Sequence, residues 1–206
     1  MKIQTFIINL ERARDRKEHM QQLLKNYNFL DVSFLAAVDG KTLTNDEIKS
    51  CFNTKKTYKR YGRDLNRGEI GCTLSHINCY RQVQKNTANV SLILEDDISI
   101  LKDISVLPDL IPLVDVSEPV ILLLSGDYWY SKKLHKVKDL EVVKVFDAVG
   151  AYAYLINKAA AELIINKYSI PSHVADHWLL YRELGIHMLA LNPYVVDANI
   201  GGLEST

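Results

Sequence analysis

Three consecutive carboxylates, Glu95-Asp96-Asp97, follow the apolar run Ser91-Leu92-Ile93-Leu94. Such a run reads as a buried strand, so the acids stand at its carboxyl end, where open α/β sheets receive ligands. Neighbouring carboxylates repel, and holding them at a buried edge is costly unless a cation neutralises them. An all-oxygen donor set suits a hard ion, Mn²⁺ or Mg²⁺, that also grips the phosphates of a substrate. The same triplet could equally form a solvated acidic turn or cap a helix. Arg12, Arg14 and Arg16 follow the first apolar run and are the candidates to hold a phosphate; Arg12 and Arg14 read better as a solvated helix start. A further carboxylate, Asp176 in Ser172-His173-Val174-Ala175-Asp176-His177-Trp178, serves either as a helix N-cap or as a general base on an acceptor hydroxyl.

Other chemistries find no support. The sequence has no GxxxxGK[ST] and no GxGxxG, so a nucleotide must be held by side chains and a metal. No GxSxG elbow is present for a Ser-His-Asp triad. Cys72 and Cys79 lie seven apart with His76 between them, and read as small apolar packing rather than a thiol–imidazole pair. Cys51, Cys72 and Cys79 make no CxxC, which points to a reduced, cytosolic protein without a structural zinc site.

The elements that must position these residues follow from periodicity. Ile3–Leu10 reads as a strand, and Met20, Leu23, Leu24 and Tyr27 give the helical spacing i, i+3, i+4, i+7. Val32–Val38 is a second strand, closed by Asp39-Gly40, and Thr44 with Glu47 forms a capping box for a short helix. Residues 53–67 are polar and basic without periodicity and read as a long loop. Gly68–Lys85 is predicted helical, Val90–Leu94 and Val120–Leu124 are buried strands, and Leu134–Phe146 is a hairpin. Gly150–Ile156 (strand), Lys158–Tyr168 and Asp176–Leu184 (helices), His187–Leu191 and Tyr194–Val196 (strands) complete the pattern. Strands alternating with helices predict an α/β fold with a mostly parallel sheet.

The chain of 206 residues has the length of one domain, with 48% hydrophobic and 24% charged residues. Lys plus Arg and Asp plus Glu both number 25, which argues against a nucleic-acid binder. The balance is not local: residues 1–67 carry 14 basic and 8 acidic side chains, a net of +6, and the remainder 11 and 17, a net of −6. A site that holds both a phosphate and a divalent cation needs such a division, as would two differently charged surfaces. No apolar run approaches a membrane span, and the amino-terminal segment lacks the pattern of a signal peptide.

Four tracts in order, Ile8-Asn9-Leu10-Glu11-Arg12-Ala13-Arg14-Asp15-Arg16, Ala37-Val38-Asp39-Gly40, Gly68–Ile77 and Leu92–Asp97, resemble glycosyltransferase family 25. These are the lipopolysaccharide and lipooligosaccharide galactosyltransferases of Gram-negative bacteria, related to collagen galactosyltransferases. Gly150–Ile165, Pro171–Asp176 and the closing Glu204-Ser205-Thr206 extend the resemblance over nearly the whole chain. It implies a GT-A type, Rossmann-like sheet flanked by helices and an inverting transfer of a sugar, often galactose, from a UDP-sugar. Glu95 and Asp97 would flank the position of a DxD motif as metal ligands, with Asp96 on the donor side between them. Asn9, Leu10, Arg16, Asp39 and Gly40 would line the nucleotide pocket, Ser75 and His76 would lie near the donor sugar or phosphate, and Asp176 matches the catalytic carboxylate.

The expectation is therefore one glycosyltransferase domain over residues 1–206, ending before a carboxyl-terminal tail. It would use Mn²⁺ or Mg²⁺ to build a glycolipid oligosaccharide at the cytoplasmic face of the inner membrane, with peripheral membrane contact. Inversion needs a base on the acceptor hydroxyl and positive charge on the departing diphosphate. The basic segment with Lys55, Lys56, Lys59, Arg60 and Arg63 is expected to close over that diphosphate. Tyr128, Trp129 and Tyr130 offer a stacking platform for an acceptor sugar or an aromatic rim over the core. Two rivals remain: a metal-dependent phosphohydrolase or nucleotidyltransferase using the same triplet, and a non-catalytic nucleotide-binding scaffold.

Overall fold

The computed structural model describes residues 2–198, and Glu204-Ser205-Thr206 lies outside them. β1 (Ile3–Asn9) is followed by α1 (Arg14–Leu24), β2 (Leu30–Ala36), α2 (Asn45–Cys51), α3 (Thr54–Tyr61), α4 (Arg67–Lys85) and β3 (Val90–Glu95). Next come β4 (Ile98–Ile100), a 3₁₀ turn at Ile104–Val106, α5 (Leu107–Val114), β5 (Val120–Leu123), β6 (Asp127–Val137) and β7 (Leu140–Val149). β8 (Ala153–Asn157), α6 (Lys158–Lys167), α7 (Trp178–Glu183), β9 (His187–Asn192) and β10 (Val196–Ala198) complete the described chain.

Eight strands form one sheet in the order β2-β1-β3-β8-β5-β9-β7-β6, and β4 pairs with β10 in a separate ladder. β2, β1 and β3 are parallel, as are β5 and β9; β8 and β7 run against their neighbours. Alternation of side chains along the strands feeds a core on each face. Ile3, Ile7, Leu92 and Leu94 join Met20 and Leu24 of α1 and Leu107, Leu110 and Val114 of α5. Phe6, Ile8 and Ile93 join Ile77, Tyr80 and Val83 of α4, Ile164 of α6 and Trp178 of α7. Three of the seven neighbouring strand pairs are parallel and helices pack on both faces, the α/β class that the alternation of elements predicts.

Three expectations change. Residues 53–67 are not a loop: α3 forms within them, capped by the Asn53 side chain on Lys56 N and closed by Gly62 in the left-handed region. The final helix begins at Trp178, not Asp176, so Asp176 is no N-cap. The hairpin is longer than Leu134–Phe146 and carries Tyr128, Trp129 and Tyr130 on β6 itself. β4 and α5 lie in residues 98–119, where no element is predicted. Among the described residues no helix is long and apolar enough to cross a membrane.

Candidate active site

The three parallel strands β2, β1 and β3 end on one side of the sheet, and the segments that follow them enclose a cavity of about 320 Å³. Leu10, Arg12 and Arg16 come from beyond β1, Asp39, Gly40 and Lys41 from beyond β2, and Glu95, Asp96 and Asp97 from the end of β3. Cys72, Ser75 and His76 of α4 form its floor. The loop at 37–40 lies directly on α4. A Cβ on Gly71 would sit 2.6 Å from the Val38 carbonyl oxygen, and one on Gly40 would overlap the Arg67 carbonyl. Only glycine permits that approach. Ser75 Oγ fixes it further, accepting from Val38 N at 2.8 Å and donating to Gly71 O at 2.7 Å.

Arg16 supplies part of the neutralising charge that the acidic triplet needs. Its Nη1 lies 2.9 Å from Asp96 Oδ1 and 3.0 Å from Asp97 Oδ2, with both Arg16 and Asp96 buried. Asn9 Nδ2 donates to Asp96 Oδ2 at 2.7 Å and to Ala13 O at 3.1 Å. Asp96 is thus held by the protein itself, and Asn9 acts through it rather than lining this cavity. The triplet is not fully balanced, however. Burial, and then the charge of Glu95, raise the Asp97 pKa above the ordinary aspartate value despite Arg16. Arg12 is not merely solvated: it forms an ion pair with Asp39 across the cavity mouth, while Arg14 lies outside the cavity.

Glu95 and Asp97 fit a hard divalent cation. They are only partly buried carboxylates at the open end of β3, the oxygen donors that such an ion takes. Glu95 Oε1 also lies 3.1 Å from His76 Nε2 and 3.8 Å from Cys72 Sγ. Cys72 packs, partly buried, against the core on the α4 face as its apolar reading expects and also reaches Glu95, whereas Cys79 is fully buried among apolar side chains. The signal for Cys72 was its spacing to His76, i to i+4, which places both on one helix face.

A second cavity of about 340 Å³ adjoins the first, and Gly68, Cys72 and Glu95 line both. Asp176 lies in this second cavity with Gly150, Ala151 and Tyr152. Its Oδ2 accepts from Gly150 N at 2.9 Å, and Gly150 O accepts from Trp178 Nε1 at 2.9 Å. Gly150 has φ of 84°, the left-handed region that favours glycine, so one turn holds both Asp176 and Trp178.

Other expected residues stay apart. Lys55, Lys56, Lys59, Arg60 and Arg63 line neither cavity. α3 instead docks on the segment before α7: Arg60 Nη1 donates to Ser172 O at 3.1 Å, and Tyr61 Oη contacts His177 Nδ1 at 2.5 Å. Arg63 pairs with Glu69. Tyr128, Trp129 and Tyr130 also line neither cavity; Tyr128 Oη donates to Leu191 O, and Trp129 is 61% exposed on the outer strand β6.

A model of glycosyltransferase family 25 (LPS biosynthesis protein) matches residues 2–178 of this chain. Procollagen galactosyltransferase 1-A of Xenopus laevis is 37% identical over 100 residues, which cover 46% of this chain and 16% of that protein. A glycosyltransferase 25 family member of Drosophila pseudoobscura pseudoobscura is 40% identical over 97 residues, 45% of this chain and 15% of the relative. The aligned stretch is thus about a sixth of the length of these relatives. Among solved structures, a protein from STIV superposes with a TM-score of 0.52 at 9% identity, covering 100% of this chain and 98% of the other; that likeness concerns the fold alone.

Proposed function

We propose a specific reaction for this chain, which belongs to glycosyltransferase family 25: an inverting, metal-dependent transfer of galactose from UDP-galactose to a lipooligosaccharide or lipopolysaccharide acceptor, forming a β linkage. The observation that carries it is the meeting of two cavities at Glu95 and Cys72, one walled by the acidic triplet with Arg12, Arg16 and Lys41, the other holding Asp176. Where the two cavities meet, the sugar of a nucleotide donor in the first and an acceptor hydroxyl in the second can come into contact, as a single displacement requires.

Glu95 and Asp97 would hold Mn²⁺ or Mg²⁺, which when bound supplies Lewis-acid charge for the diphosphate. Arg16 keeps Asp96 and Asp97 in place, and Arg12 and Lys41 bring further positive charge to the donor side. Asp39 and Gly40 form the donor wall, and Ser75 holds that wall on α4. Asp176, oriented by Gly150 N, takes the proton of the acceptor hydroxyl as that oxygen attacks the anomeric carbon. Exposed Lys132, Lys136 and Trp129 on β6 support peripheral contact with the cytoplasmic face of an inner membrane.

A UDP-release screen over UDP-sugars, with and without Mn²⁺ and with lactose- or glucosamine-type acceptors, tests the reading. The expected result is metal-stimulated, acceptor-dependent release that is greatest with UDP-galactose, and a kcat at least about 100-fold lower in Asp176→Asn. Acceptor-independent release would indicate a phosphohydrolase or nucleotidyltransferase. No release with any donor would leave a binding scaffold.

A further inference from the structure

Three side chains of different donor chemistry converge on the wall between the two cavities. Cys72 and His76 stand one turn apart on α4, and Glu95 closes β3 opposite them. Cys72 Sγ, His76 Nε2 and Glu95 oxygen lie within 4.8 Å of one another. The His76–Glu95 separation is 3.1 Å and the Cys72–Glu95 separation 3.8 Å. Those two separations suit ligands sharing one small ion, and the third needs only modest side-chain adjustment.

The imidazole is held from behind. His76 Nδ1 contacts Tyr154 Oη at 2.7 Å, and Tyr154 donates onward to Tyr80 Oη at 3.0 Å, with all three residues buried. Metal-binding histidines are characteristically oriented through the other ring nitrogen in this way. The fourth direction opens into the cavities that Cys72 and Glu95 line.

We propose that Cys72, His76 and Glu95 form a Zn²⁺ site, separate in chemistry from the Glu95–Asp97 pair although it shares Glu95. Sulfur, nitrogen and oxygen donors together favour a borderline-soft ion over Mg²⁺ or Mn²⁺, and three protein ligands leave a coordination position for water or a ligand. It is not the closed four-ligand structural site that the cysteine spacing argued against. Burial, followed by the charge of Glu95, pushes the free Cys72 thiol well above its ordinary pKa, so ion binding releases the thiol proton to solvent. The functional consequence rests on the reading in the previous subsection: Zn²⁺ here engages Glu95 and occupies the wall between donor and acceptor, and so inhibits transfer.

Metal-free full-length chain, kept reduced with a phosphine, is titrated with Co²⁺ and then with Zn²⁺, without any sugar nucleotide. The site predicts a sulfur-to-cobalt charge-transfer band that saturates at one Co²⁺ per chain and disappears on addition of one equivalent of Zn²⁺. Cys72→Ser should abolish the band, His76→Gln should weaken Zn²⁺ binding at least about tenfold, and Cys51→Ser should change neither. Peptide mapping of thiol alkylation in the unmutated chain gives a readout independent of variant folding: Zn²⁺ should protect Cys72 and leave Cys51 reactive. Absence of the band in the unmutated chain, its survival in Cys72→Ser, or unprotected Cys72 at saturating Zn²⁺ would each overturn the site. A site that binds Zn²⁺ in a chain without sugar transfer would stand while the proposed reaction fell. A transferase unaffected by saturating Zn²⁺ would remove the inhibitory role alone.

Discussion

Asp96 has Arg16 on one carboxylate oxygen and Asn9 on the other, whereas Asp97 shares the same arginine and stays partly exposed. One motif therefore contains a structural acid and, on either side, two acids directed to the cavities. Repulsion within the triplet was legible in the sequence; that Arg16 would answer part of it was not, because nothing local links residue 16 to residue 96. Cys72 packs against the core as its apolar reading expects, and its contact with Glu95 was not legible, because nothing local links residue 72 to residue 95. A titration at residue scale concerns His173, which is fully buried with Nε2 3.1 Å from Tyr181 Oη and Nδ1 without a partner among the described residues. Burial first, then nearby positive charge, lowers its pKa to about 3. The unfolded chain binds this proton near the ordinary histidine value of 6.5, the folded chain not until about 3, so stability falls as pH drops through that window. Between pH 7 and pH 5 the unmutated chain should lose about 2 kcal/mol more than His173→Gln, as read by urea unfolding; equal losses would refute the assignment.

The elements that could be read were those with a clear apolar period: β1, α1, α4, β3 and β5 all lie close to their expected positions. The miss at α3 has a physical cause. It buries only Thr57, so it has almost no apolar face from which to read a helix, and its signals are the Asn53 cap and Gly62. Its position matters: α3 docks on the segment before α7, and its basic side chains line neither cavity. Asp176 belongs to a different local logic, a glycine turn that catches its carboxylate, which helix-start rules do not anticipate. α4 packs closely against the loop at 37–40. Gly71→Ala places a Cβ 2.6 Å from Val38 O and 2.7 Å from Gly40 N, both backbone atoms. Forcing them apart should cost about 1–3 kcal/mol in denaturant unfolding and weaken UDP binding, because that loop forms the donor wall. A variant as stable as the parent would show that the contact yields freely.

Across the whole molecule, the division of charge along the chain becomes a division across one cleft. Arg12, Arg16 and Lys41 from the basic first third face Glu95, Asp96 and Asp97 from the acidic remainder. Three parallel strands deliver both sets to the same side of the sheet, and Asp176 enters beside them from the far end of the sequence. The fold class and the acidic centre were readable because both depend on short-range pattern. The joining of the two cavities was not, because it depends on contacts between segments about a hundred residues apart. If Glu95 and Asp97 bind UDP through a hard divalent ion, calorimetric titration of UDP into the chain will register that ion. With Mn²⁺ present the affinity should be at least about tenfold higher than with a chelator, and Asp97→Asn should remove that gain while the variant stays folded. Equal affinity with and without Mn²⁺, or a gain that survives in folded Asp97→Asn, would contradict it.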